Sequence, residues 1–139
     1  MLVHKHYYFV HNFNFDLPFA LGDDAQALRV ENKLQPVLNL DQTEFSYTDT
    51  KGQVYSVKTS GEGIINQIWI TQLSNLTFKG HTIEPYWQGN TLVEFLKKHH
   101  QGSFFEVKEE YYQNATEDFL MIVFMDGNFR MMGLIRKSL

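Results

Sequence analysis

The sequence predicts a single α+β domain: a curved, mostly antiparallel sheet, able to curl into a partial barrel, with one main helix over residues 91–100. Three stretches predict it. Phe119 to Met125 is a run of seven apolar residues flanked by Asp118 and Asp126, too short to span a bilayer and suited to a central strand buried on both faces. Tyr7 to Phe15 alternates, with Tyr7, Phe9, His11, Phe13 and Phe15 on one side, as a half-buried strand with an aromatic inner face does. Residues 91–100, TLVEFLKKHH, carry Leu92, Phe95 and Leu96 as an apolar stripe between polar positions, the pattern of a surface helix.

Taken in chain order, the first strand should end at Pro18, which has no N–H for a ladder. Asp23 or Asp24 could cap a short helix through Leu34, with Pro36 as its stop. Glu44 to Thr59 reads as a hairpin around the turn formers Asp49 to Gly52. The segment from Ile64 to Phe78 fits either a helical face or a strand, and its β-branched content favours strand. Pro85 to Gly89 is a loop carrying Tyr86 and Trp87. The helix follows, with Asn90 as cap, Thr91 and Glu94 as a capping pair, Lys97, Lys98, His99 and His100 in the favourable last turn, and Gly102 beyond it. Ser103 to Tyr112 reads as a strand. Together with the central run and the strand after the Asp126-Gly127-Asn128 turn, it makes an antiparallel meander of three strands.

At 139 residues the chain can bury a core without staples, and it has no cysteine, which excludes disulfides, thiolate catalysis and cysteine-based metal sites. The net charge of −4 argues against nucleic acid as a partner, because phosphate binding needs a basic face. No window reaches membrane-spanning length and the first residues lack the apolar core of a signal peptide, so a cytoplasmic protein that meets no membrane is expected. The glycosylation patterns at Asn75 and Asn114 then carry no weight.

No phosphate loop, dinucleotide fingerprint, zinc-protease helix, calcium loop or serine elbow is present, and no cofactor is expected. His4 and His6 are two apart and share a side of any strand that holds them, so they could supply two ligands to a divalent ion. Two ligands do not make a site, and the expectation is no metal and an exposed, fraying segment. The richer cluster is acidic and aromatic: Glu106, Glu109, Glu110, Tyr111, Tyr112, Glu117 and Asp118 lie within thirteen residues, relieved by Lys108. Strand alternation would turn Glu106, Lys108, Glu110 and Tyr112 outward as a solvated strip, with Arg130, Arg136 and Lys137 placed to neutralise part of it.

Carboxylates mixed with tyrosines suit a basic surface, since the charges set encounter and register while the rings give contact area. The expected partner-binding residues are Glu106, Glu109, Glu110, Tyr112, Glu117 and Asp118, with Tyr86 and Trp87 as anchors. In size, charge and lack of motifs the chain resembles the small acidic immunity proteins and enzyme inhibitors of bacteria, a resemblance of profile that transfers no residue. It implies a protein-binding inhibitor that occludes the basic active site of a toxin or nuclease. The alternatives are a small-molecule-binding or enzymatic domain with an aromatic-lined pocket, and a metal enzyme using His4 and His6.

Overall fold

The computed structural model describes residues 3–10, 13, 16–17, 19–31, 35–36, 44–48, 53–73, 76–84, 87–114 and 118–136. Its strands are β1 (Val3–Val10), β2 (Gln35–Pro36), β3 (Glu44–Thr48), β4 (Val54–Thr59), β5 (Ile65–Ile70), β6 (Leu76–Phe78), β7 (His81–Ile83), β8 (Phe104–Val107), β9 (Asp118–Met125) and β10 (Asn128–Arg136). The helices are α1 (Ala25–Val30), α2 (Gly89–His99) and α3 (Glu109–Gln113). Eight strands form one antiparallel sheet in the order β2-β3-β4-β5-β10-β9-β1-β8, and β6 with β7 forms a separate hairpin. The large sheet is open, ending at β2 and β8, so the expected partial barrel does not close.

The run from Phe119 to Met125 is central, between β10 and β1, with Phe119, Leu120, Ile122, Val123 and Phe124 buried. Asp126 and Gly127 both take positive φ, 52° and 81°, and close the β9–β10 hairpin as a two-residue turn. The expected three-stranded C-terminal meander is not formed: β8 pairs with β1, which lies between β8 and β9. The reason is apolar supply. β1 can bury side chains on both faces, whereas β8 holds two exposed residues out of four and is fit only for an edge.

Register explains the main core. Phe45, Val57, Ile68, Leu134, Leu120 and Tyr8 stand opposite one another from strand to strand, so their side chains form one row across the inner face. Leu92, Val93 and Leu96 of α2, Leu28 of α1, and Leu76, Phe78 and Ile83 of the hairpin cover this face. The row runs on past Tyr8 to Glu106 at the sheet's end. β1 therefore starts earlier than its aromatic alternation suggests, and Tyr8 and Val10, not Tyr7 and Phe9, point into the main core. Tyr7 is buried on the reverse face, against Tyr112 of α3 at 4.8 Å between ring centroids.

The segment from Ile64 to Phe78 contains β5 and β6, as its composition favours. Its helix-like spacing has a local cause: the β4–β5 register slips between Lys58 and Thr59, which pair with Gln67 and Ile65, so Asn66 is an extra residue. That bulge lets Ile65 and Ile68, three apart, both be buried. At α1 the cap is Asp24, whose Oδ1 accepts from the Gln26 N–H at 2.9 Å. At α2 the helix starts earlier than expected, with Gln88 in the cap position and no side-chain cap bond. Asn90 instead accepts from its neighbour Thr91.

Asp16 ties the β6–β7 turn. Its carboxylate accepts from the Lys79 N–H (2.9 Å), the Gly80 N–H (2.7 Å) and the Thr77 hydroxyl (2.9 Å). Partial burial opposes its charge, but these bonds outweigh the burial, with help from His81, and hold the carboxyl below the usual carboxylate range. A lowered folded pKa means stability that is present above the unfolded value of about 4 and is lost as pH falls through the folded value. The urea midpoint should therefore drop with acid more steeply in the native chain than in Asp16→Ala. Superimposable pH curves would remove Asp16 from the account.

Candidate functional site

The predicted acidic strip assumes a strand from Ser103 to Tyr112. The strand stops at Val107, and Glu109 begins α3, with Lys108 at its cap position. Two glutamates in the first turn are favoured there by the helix dipole, which is the local reason for the change. Strand alternation then no longer governs the cluster, and its members part.

Glu106 lies on the inner face of the edge strand, its Oε1 3.0 Å from His6 Nδ1. Glu109 and Glu110 are exposed, and a shallow depression of about 840 Å³ connects them with Glu106, Lys5, Lys108 and Tyr7. Burial and then the neighbouring charges of Glu109 and Tyr112 push the Tyr7 phenol up. Tyr112, expected outside, turns inward onto Tyr7 and onto Phe119, whose ring it meets edge-on at 5.2 Å. Tyr111 is the half-exposed member, at 51%.

Asp118 is withdrawn from the strip. It stands opposite Arg136 in the β9–β10 register and binds that guanidinium through both oxygens, at 2.8 Å and 3.1 Å. The bond to Asp118 raises the Arg136 pKa further. Trp87 is also elsewhere. It is half-buried on Phe95 of α2, at 5.0 Å, in a line that continues through His99 to His81. Glu117 and Tyr86 lie outside the described residues.

What the structure brings together is an edge: Glu106, Glu109, Glu110, Tyr111 and the half-exposed ring of Phe105, where the sheet stops. Behind it, on the α2 side, it also assembles residues that sequence reasoning kept apart. His6, Tyr8 and Phe124 form the floor of a cleft of about 480 Å³, with Glu94 and Lys97 of α2 on one wall and Glu106 on the other. His6 and Glu106 are 100 positions apart, so no local signal announces the pair. Glu94 and Lys97 could have been noticed, since a spacing of three puts both on one side of a helix.

His4 and His6 do share a side, as a strand requires, but β1 is paired along its length with β9 and is not a fraying end. Among the described residues no group of three or more His, Asp or Glu could hold a metal ion. No described helix is long and apolar enough to cross a membrane. No family model matches the chain, and no curated protein or solved structure matches it either.

Proposed function

We propose that the chain acts by binding, as an inhibitor of the immunity type that covers the basic active site of a toxin or nuclease. The observation that carries this reading is the sheet's β8 end, where exposed Glu106 and the half-exposed ring of Phe105 lie on opposite faces of the edge strand, followed in α3 by exposed Glu109 and Glu110 and the half-exposed ring of Tyr111. Carboxylates at such a rim speed encounter with a cationic surface and disfavour acidic competitors, while the rings supply area at low entropic cost. A strand with one unpaired side also offers main-chain donors and acceptors to a partner. A nuclease presents the matching surface, because it holds Lys and Arg for phosphate. Tyr112 and Asp118 have no part in this revised interface, being engaged by Tyr7 and Arg136.

The test is capture from the source cell at low and at moderate salt, with the double variant Glu109→Lys, Glu110→Lys run in parallel. The expected result is one basic protein held stoichiometrically, weakened by salt. Charge reversal should lower its affinity by roughly tenfold or more and flatten the salt dependence. Binding that ignores both salt and the reversal would sink the acidic edge as the interface.

A further inference from the structure

The cleft behind the edge has the chemistry of a cation socket. Its floor is aromatic, with the His6 ring 5.1 Å from Phe124 and stacked on Tyr8 at 6.4 Å. A carboxylate stands on each side, Glu94 from α2 and Glu106 from β8. Both charges reach the floor: after burial, Glu106 and then Glu94 push the Tyr8 phenol far up. Only Oε1 of Glu106 is engaged by His6, and no hydrogen bond to Oε2 or to the Glu94 carboxylate is formed among the described residues. A cation already rests there. The Lys97 ammonium sits over the Tyr8 ring, 5.9 Å from its centroid, although Lys97 is an exposed side chain with solvent at hand.

We propose that this cleft receives an arginine side chain of the basic partner, with Lys97 as the displaceable occupant; the inference rests on the binding reading above. Guanidinium fits better than ammonium for three reasons. It is flat and stacks on rings, its fork of donors can reach carboxylates on two sides, and it gives up water more readily. The volume is of the size that holds one extended side chain and its neighbouring backbone. The position is consistent with a shared interface, because Glu106 borders both the cleft and the acidic edge.

The test needs no partner. The full chain is titrated with N-acetyl-arginine amide, and with the lysine and citrulline counterparts, while NMR follows the ring signals of Tyr8, His6 and Phe124. The arginine compound should shift these signals saturably and more tightly than lysine, and citrulline, which keeps the shape and lacks the charge, should leave them in place. Glu94→Gln and Glu106→Gln should each weaken binding by roughly three- to tenfold, whereas Lys97→Met should strengthen it about threefold. A merely structural role for these exposed groups would not make the Lys97 variant bind better.

Equal shifts from arginine and citrulline, or weaker binding by Lys97→Met, would overturn the socket. If a basic protein is still captured through Glu109 and Glu110 in that case, the binding reading stands without it. If instead the arginine compound binds as expected and no basic protein is ever captured, the partner is overturned as the source of the cation.

Discussion

Truncating Phe78 to alanine should cost about 3–5 kcal/mol of folding stability, a large share of what a domain of this size has. Phe78 is fully buried and meets Phe13 at 4.9 Å, His100 at 6.3 Å and Phe95 at 6.5 Å between ring centroids. It is also the anchor of the β6–β7 hairpin, which shares no ladder with the large sheet and is held to it by apolar contact. Urea unfolding of Phe78→Ala beside Phe78→Leu checks this, with leucine, which keeps most of the volume, expected to lose about 1–2 kcal/mol. A loss under about 1 kcal/mol for alanine would mean that the hairpin is dispensable to the core.

The second large effect is expected where α2 meets the sheet. A β-carbon built on Gly89 would meet three ring carbons of Phe124, nearer than atoms can pack. Gly89→Val should therefore destabilise by about 1–3 kcal/mol, because a buried ring or the whole helix end must move. Gly89→Ala is the sharper comparison. In an open helix interior that change stabilises by about 1 kcal/mol, but here contact with the ring should reverse the sign. Thermal unfolding measures both, and an alanine variant as stable as the native chain would show that Phe124 yields freely. Since Phe124 is also in the cleft floor, the valine variant should lose arginine binding along with stability.

The central strand, its Asp126-Gly127 turn, the hairpin through Glu44 to Thr59 and the helix near 91–100 were legible because each is announced by neighbours in sequence. Where reading failed, the deciding partners were remote. β8 leaves the expected meander because β1, some 100 residues earlier, makes a better neighbour for β9. β7 went unread because its three residues, His81 to Ile83, show no period, and it exists by pairing with β6 across the Lys79-Gly80 turn. The acidic cluster was visible as composition, yet its geometry turned on one switch from strand to helix after Lys108. That switch sent Tyr112 inward and left Glu109 and Glu110 outside.

The place of β1 between β8 and β9 sets the order in which the molecule can be made. Its partners lie between 94 residues away, for Val10 and Phe104, and 122 residues away, for Val3 and Met125. On a ribosome the first strand must wait, unpaired, until β8 has been made, and its longer partner β9 follows later still. The loop entropy of closing so long a connection is then met late, by the very apolar run that makes β9 central. Folding should be slow for a chain of this length, with formation of the binding edge among its last events, because β8 has no place to dock until β1 has arrived.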